Sequence, residues 1–335
     1  MKKLLSVILA LVMILSLSTV AFADGVTDPS TPTAPKTYED MKTVTLTKEY
    51  KLANAGTTSP AETFTFSSLT CTGVENAGVG VTTGNAPVPT ISSVVYAAGD
   101  AGSAKAVQTI TITLPEKYAG VGVYTYTFTE NDGNTAGVGY RESPIRLVVT
   151  VIEGENGKVR VAAVHTESEG GKKNTFDNTY SAGSLSVTKK VTGIMGDKMK
   201  DFKVTVTFTA PEGDTVKSDI VRVNPNQSQE TISAGDGWTT KTVEFTLKHD
   251  ETLTLKNIPY GVTYTVVEDN YTDYNTTYEG ENGTINAPTA NATITNNKEG
   301  NVDTGVALDS LPYILLLAVA CVGMAVVLTK KRRED

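Results

Sequence analysis

The chain has 335 residues, a formal net charge of −8 at pH 7 and only two cysteines. An acidic surface repels phosphate backbones, which argues against nucleic acid as a partner. Cys321 lies in an apolar C-terminal segment, which leaves Cys71 without an intrachain partner, and the two histidines are far apart. The sequence therefore predicts no disulfide and no metal site. It has no Gly-rich phosphate loop and no serine nucleophile elbow, so we expect a protein that is not an enzyme and uses no cofactor.

The N-terminus has the features of a secretory signal peptide. Two lysines precede an apolar run over residues 4–17, and the tripeptide Ala-Phe-Ala at 21–23 fits a small-residue cleavage site. We therefore expect export, with residues 1–23 removed. Residues 24–40 are rich in proline and threonine, and this composition predicts an extended, flexible segment.

The middle of the chain has the pattern of β-structure. Thr, Val, Tyr and Gly are abundant, and apolar and polar residues alternate in short runs such as 110–114 and 243–247. No window between the two terminal apolar segments predicts an amphipathic helix. Many short strands with Gly, Pro and Asn at the turns are typical of β-sandwiches. We predict an all-β chain with two sandwich domains, at residues 41–180 and 181–299.

A set of three polar residues occurs once in each predicted domain. A lysine ends the first predicted strand, a glutamate ends a late strand and an asparagine ends the last one. Because alternate strand residues point to the same face, all of them are predicted to face the core, together with their apolar neighbours. The two sets are Lys48, Glu130 and Asn178, and Lys189, Glu268 and Asn296.

Three polar groups turned into one core are costly unless they meet. One interpretation is a buried salt bridge, or strand ends that reach solvent. The other is chemical, because burial lowers the pKa of a lysine amine and raises that of a carboxyl group. A neutral amine would then lie beside a carboxamide that a protonated carboxyl polarises. The product would be a Lys–Asn isopeptide bond between the first and last strands of each domain, with ammonia lost.

The C-terminal segment, residues 300–335, contains an apolar span and a basic tail. The span at 311–328 carries no charge and is just long enough to cross a bilayer. The basic residues at 330–333 are expected to stay on the cytoplasmic side. The simplest interpretation is a single-pass membrane anchor.

The motif at 301–305 changes that interpretation. Its Thr304-Gly305 pair, followed by the apolar span and basic tail, resembles the cell-wall sorting signal of Gram-positive surface proteins. The resemblance implies that a sortase cuts between Thr304 and Gly305 and passes the threonyl acyl group to an amine. The motif departs from the common Leu-Pro-x-Thr-Gly form, with Asn301-Val302-Asp303 in place of Leu-Pro-x. Val302 resembles variants read by pilus-specific sortases but Asp303 is unusual, which leaves the class of sortase open.

The mature chain as a whole resembles the backbone pilins of Gram-positive sortase-assembled pili, of the streptococcal type. The resemblance is strongest in the second domain, at 196–202, 245–248 and 257–271, and includes 64–66 and the polar triad in the first. It implies tandem immunoglobulin-like domains. It also implies that each domain contains a self-formed Lys–Asn isopeptide bond, and that the glutamate assists its formation.

The resemblance also implies a linking lysine shortly before the last strand of the first domain. Lys172 and Lys173 occupy that place, and either could receive Thr304 of the next subunit, with Lys172 preferred. The implied partners are a sortase, identical subunits, accessory pilins and peptidoglycan, reached directly or through a basal pilin. The implied location is the cell surface, with a precursor held for a time in the plasma membrane. The alternative is a monomeric wall-anchored adhesin with the same cross-linked domains.

Overall fold

The computed structural model describes residues 40–300, 314–322 and 324. The expected signal peptide, residues 24–39, the sorting motif and the basic tail lie outside the described residues. The described part of the apolar span is helical and exposed. No helix within the described ranges is long and apolar enough to cross a membrane.

The first part of the chain folds into a sandwich of short strands. They are β1 (Thr43–Leu52), β2 (Glu62–Phe64), β3 (Thr70–Glu75), β4 (Thr90–Ile91), β5 (Val94–Tyr96), β6 (Val107–Thr113), β7 (Gly122–Phe128), β8 (Val138–Gly139), β9 (Ile145–Glu153), β10 (Val159–Ser168), β11 (Gly171–Lys172) and β12 (Thr175–Tyr180), with 3-10 turns at Thr83–Asn85 and Glu155–Gly157. One sheet has the order β4-β6-β1-β12-β8, the other β11-β10-β9-β7-β3, and β2 pairs with β5. Strand β1 lies between β12, which is parallel to it, and β6, which is antiparallel.

The second part repeats this central arrangement. Its strands are β13 (Ala182–Thr192), β14 (Phe202–Thr209), β15 (Ile220–Val223), β16 (Gln229–Ile232), β17 (Thr240–Leu247), β18 (Thr252–Pro259), β19 (Thr263–Glu268), β20 (Asn275–Glu279), β21 (Asn282–Thr284) and β22 (Thr289–Asn297). The sheets have the orders β16-β15-β18-β13-β22-β20 and β17-β14-β19-β21. Strand β13 lies between its parallel partner β22 and its antiparallel partner β18.

Alternating burial places the apolar side chains between the sheets of each sandwich. Every second residue of β7 is buried, including Tyr124 and Tyr126, and β14 behaves likewise with Phe202 and Val206. Each sandwich has its own apolar core, and each core also includes one residue of the other sandwich. Ala136 of the first sandwich packs into the second core, and Ala182 of β13 packs into the first. The prediction of an all-β fold with two sandwiches is confirmed.

The predicted strand ends are wrong at several of the polar residues. Strand β1 continues past Lys48, and β13 continues past Lys189. Asn178 lies inside β12, whereas Glu130 lies beyond the end of β7 at an isolated bridge to Phe66. Strands β1 and β13 continue because alternating burial resumes after each lysine, at Tyr50 and Val191, and because pairing with β12 and β22 extends past the lysine.

Candidate functional site: two buried lysine, glutamate and asparagine triads

The lysine and the asparagine of each triad lie on adjacent parallel strands with the same offset. Asn178 lies two positions beyond Phe176, the residue opposite Lys48. Asn296 has the same offset from the residue opposite Lys189. Such diagonal neighbours share a face of the sheet, and a long side chain can bridge them.

The glutamate of each triad comes from the opposite sheet of its sandwich. Glu130 follows β7, and Glu268 is the last residue of β19. All six side chains of the two triads are buried, and both lysines are 0% exposed. Each set is therefore assembled across the gap between two sheets. The core-facing orientation agrees with the parity of the strands, whereas the sheet arrangement was not predicted.

The first site is a closed set of contacts. Lys48 Nζ lies 2.5 Å from Glu130 Oε2 and also contacts Asn178 Oδ1. Asn178 Nδ2 donates to Glu130 Oε1 at 2.5 Å and to the carbonyl oxygen of Gly139 at 2.9 Å. Amine, carboxylate and carboxamide are in mutual contact, and the amide nitrogen has two acceptors.

Glu268 connects the members of the second site. Its Oε2 lies 3.1 Å from Lys189 Nζ, and its Oε1 accepts a hydrogen bond of 2.6 Å from Asn296 Nδ2. Lys189 Nζ also donates to the carbonyl oxygen of Ile294 at 3.4 Å. Within the described part of the chain, Asn296 Oδ1 and Glu268 Oε2 have no hydrogen-bond partner, so the contact of Glu268 with Lys189 is an ion pair. The carboxylate thus contacts both the amine and the amide.

An aromatic ring lies under each lysine amine. Lys48 Nζ is 4.6 Å from the ring centroid of Phe64, and Lys189 Nζ is 4.6 Å from that of Phe202. An aromatic face attracts a cation and keeps water away from the amine. Sequence reasoning placed both phenylalanines in regions of family resemblance but assigned them no role. Their alternation with other apolar residues predicts burial and does not show what they pack against.

Burial also shifts the pKa of the two amines. Desolvation lowers the pKa of Lys48 and of Lys189 from the ordinary value of 10.5, and the neighbouring glutamates offset only part of this effect. A lower pKa increases the share of neutral amine, which is the nucleophilic form. The two sites therefore combine a nucleophile, a carboxyl group that can carry a proton and a carboxamide.

The two loop lysines lie apart from the triads, where the chain enters β12. Lys172 is exposed in β11, whereas Lys173 is half-buried and its Nζ donates to Glu169 Oε2 at 3.2 Å. Both line a groove of about 400 Å³ together with Val44 and Val164. The other half of the predicted linkage, Thr304 and Gly305, lies outside the described residues.

Other ligand-binding chemistry has little support in the described ranges. No group of three or more His, Cys, Asp or Glu residues there is placed to hold a metal ion. Cys71 is half-buried, and its Sγ donates a weak hydrogen bond of 3.5 Å to the carbonyl oxygen of Gly73.

Comparison with known proteins relates both sandwiches to pilus proteins. Residues 39–181 match the model of the Spy0128-like isopeptide containing domain, and residues 183–298 match that of a domain of unknown function, DUF7601. A pilin of Streptococcus pyogenes serotype M1 is 29% identical over 317 residues, which are 86% of this chain and 90% of that pilin. The chain is therefore related to the streptococcal pilins.

Solved structures show the same relationship for the fold of this pilin. The crystal structure of the major pilin from Streptococcus pyogenes aligns with a TM-score of 0.55 at 26% identity, covering 77% of this chain and 99% of that one. Another major pilin of the same organism, T3.2, also has a TM-score of 0.55 and shares the fold at 20% identity, with 78% and 99% covered.

Part of the pilin also matches a different pilus protein. The pilus tip adhesin Cpa of Streptococcus pyogenes is 31% identical over 115 residues, which are 34% of this chain and 15% of the adhesin. The matched relatives are structural proteins of the pilus rather than enzymes. This chain is accordingly a pilin structural subunit of a cell-surface pilus, with an isopeptide-containing domain.

Proposed function

We propose that this pilin polymerises covalently into a pilus and that each sandwich is cross-linked by a self-formed isopeptide bond. The bonds are Lys48–Asn178, assisted by Glu130, and Lys189–Asn296, assisted by Glu268. The observation that carries the proposal is the repeated geometry: a buried lysine over a phenylalanine ring, a diagonal asparagine on the parallel strand and a glutamate from the opposite sheet.

In the first site the reaction needs only groups that are already in contact, and in the second site Glu268 contacts both the amine and the amide. The neutral lysine Nζ attacks Cγ of the asparagine, which forms the new C–N bond, and the bond from Cγ to Nδ2 then breaks. One amine proton passes through the glutamate to the departing nitrogen, which leaves as ammonia. In the first site Glu130 contacts both Lys48 Nζ and Asn178 Nδ2, so a single carboxyl group can accept and return the proton.

Sortase-mediated linkage forms the second part of the proposal. A sortase cleaves Thr304-Gly305 and joins the threonyl carbonyl to a lysine of the next subunit. We favour Lys172 as the acceptor because its amine is exposed, whereas the amine of Lys173 pairs with Glu169. The groove lined by Val44 and Val164 lies beside both lysines and offers a surface for the incoming segment.

The ends of the chain complete the life cycle of the subunit. The signal peptide directs export, and residues 305–335 hold the precursor in the plasma membrane until the sortase acts. Residues 41–180 and 181–299 are the two domains of the mature shaft subunit. Accessory pilins and peptidoglycan, reached directly or through a basal pilin, are the further partners.

Intact-mass measurement of residues 24–304 tests the cross-links. The purified protein should be lighter than its unmodified sequence by two ammonia molecules. Glu130→Ala should lose only one, because the second site remains complete. The matched control is Asp177→Ala, which removes a neighbouring carboxylate that points outward to Lys51 and should leave both bonds intact. The unmodified mass for the natural sequence would reject the isopeptide proposal.

A second experiment tests polymerisation and the choice of lysine. Cell-wall extracts should show an SDS-resistant ladder that disappears with Lys172→Ala and persists with Lys173→Ala. Loss of the ladder only with Lys173→Ala would reverse the assignment. A single anchored band from the natural sequence would favour the wall-anchored adhesin over the polymerising pilin.

A further inference from the structure

The segment from Glu130 to Gly139 holds the reacting amide of the first site at both of its ends. Asn178 Nδ2, the nitrogen that would leave, donates to Glu130 Oε1 at one end and to the Gly139 carbonyl oxygen at the other. Strand β8, at the end of this segment, pairs with β12 beside Asn178. The position of the segment therefore determines the position of both acceptors.

The middle of the segment is held by the second sandwich. Thr135 forms a parallel bridge with Thr215. Thr215 N donates to the carbonyl oxygen of Asn134 at 2.9 Å, and Ala136 N donates to the carbonyl oxygen of Thr215 at 3.0 Å. Lys217 Nζ donates to Thr135 Oγ1 at 2.7 Å. These contacts join a loop of one sandwich to the backbone of the other.

Packing reinforces these hydrogen bonds. Ala136 is 0% exposed and lies among the apolar side chains of the second core. Gly137 has φ of +79°, and a Cβ atom there would lie 2.6 Å from the carbonyl oxygen of Ser181 and 2.8 Å from Pro259 Cβ. The loop is thus closely packed against the second sandwich and against Ser181.

In the second site the glutamate is held by residues of its own sandwich. Glu268 is paired with Val204 in the adjacent strand of its own sheet. Its backbone N–H donates to Tyr278 Oη at 3.2 Å, within the same sandwich. The carboxyl group of the second site is thus positioned by regular β-structure of its own domain.

We propose that docking of the second sandwich templates the first isopeptide bond, with Thr215 and Lys217 acting as positioning residues. Docking fixes segment 130–139 and so aligns Glu130 and the Gly139 carbonyl with the Asn178 amide. The bond of the second sandwich forms independently of the first sandwich, and it forms before the first bond. This inference rests on the isopeptide chemistry proposed above and adds a dependence of one bond on the neighbouring domain.

The test compares the two bonds within one molecule. Residues 24–304 are made in a short pulse of cell-free synthesis, and peptide mass spectrometry follows the cross-linked fraction at each site. In Thr215→Pro, which lacks the N–H that bonds Asn134, and in Lys217→Ala, the first bond should form about tenfold or more slowly. The second bond should keep its natural rate, so the ratio of the two rates reports positioning rather than general folding.

Matched variants complete the design. Thr215→Ser keeps the backbone bonds, and Lys217→Arg keeps a donor, so both should restore the first rate. Asn54→Ala removes two other interface hydrogen bonds, to Ala182 O and Tyr260 Oη, and should leave the ratio unchanged. Natural rates at the first site in both Thr215→Pro and Lys217→Ala, or equal slowing of both sites in both variants, would overturn the inference. Absence of any bond in the natural sequence would instead reject the proposed function.

Discussion

The glutamates of the two sandwiches reach their lysines by different routes. Glu268 ends a regular strand, and its neighbours in the sheet fix its backbone. Glu130 lies beyond its strand on a single bridge, followed by a loop held by the second sandwich. The lysine–asparagine registers are nevertheless the same in both. The two sandwiches thus share the same pair of parallel strands, which carries the lysine and the asparagine, and differ in the backbone that holds the glutamate.

Because the two glutamates are held differently, the two sites are expected to differ in how they are assembled and not in the reaction itself. Both lysines are buried over an aromatic ring at the same distance, so their intrinsic reactivity is expected to be similar. The first site additionally needs contacts between residues of different domains. We therefore expect the two bonds to differ in when they form and to be comparable in what they contribute once formed.

The largest expected effect comes from removing one bond at a time. Lys48 and Asn178 are 130 residues apart in sequence, and a cross-link over such a loop restricts the unfolded chain as a disulfide does, by about 5 kcal/mol. Asn178→Ala and Asn296→Ala should each lose stability of this order in guanidinium unfolding. Asp177→Ala, at a surface ion pair with Lys51, should cost less than about 1 kcal/mol. A large loss from only one of the two asparagine variants would contradict the view that the bonds contribute comparably.

An intermediate effect is expected at the loop that distinguishes the first site. Gly137→Ala places a Cβ against Ser181 O and Pro259 at positive φ, and should lower the free energy of unfolding by about 3 kcal/mol. It should also slow the first bond selectively. Gly157→Ala is the matched control, because its φ is +71° with no atom within 4 Å of the added Cβ, and it should cost about 1 kcal/mol. Equal losses from both substitutions would show that the docked loop has room to adjust.

The smallest effect is a dependence on pH that appears only when a bond is missing. In Asn178→Ala the amine of Lys48 can titrate, and burial lowers its folded-state pKa from 10.5. Between the lowered pKa and 10.5 the unfolded chain binds a proton that the folded chain does not. Stability should therefore rise with pH in this window, by at most about 1.4 kcal/mol per pH unit.

The natural sequence supplies the reference for that measurement, because an amide nitrogen does not titrate. The difference in urea midpoint between variant and natural protein removes the contribution of the other titrating groups. Asn296→Ala should show the same sign through Lys189, whose pKa is also lowered. A difference that stays constant as the pH rises toward 10.5 would mean that the amine is not held in its neutral form.

Much of the fold and of the two triads could be predicted from local patterns. Alternation of apolar residues along 110–114 and 243–247 predicted strands, and parity placed all six polar residues toward the core. The limits of β1 and β13 were missed because a buried lysine interrupts the apolar alternation, which resumes at Tyr50 and Val191 while the pairing with β12 and β22 continues. The two triads could be matched because the same residue types occur at equivalent strands of both predicted domains.

The sequence by itself determined which side chains face each core, because the period of a β-strand is a local property of the backbone. Only the tertiary structure decided what those side chains meet. The diagonal offset of Asn178 from Lys48, the ring of Phe64 and the carbonyl of Gly139 all depend on which strands become neighbours. The contacts that hold segment 130–139 come from the second domain, and the sequence of the loop has no periodic pattern that predicts them. Contacts between distant parts of the chain arise from packing, which a local pattern does not encode.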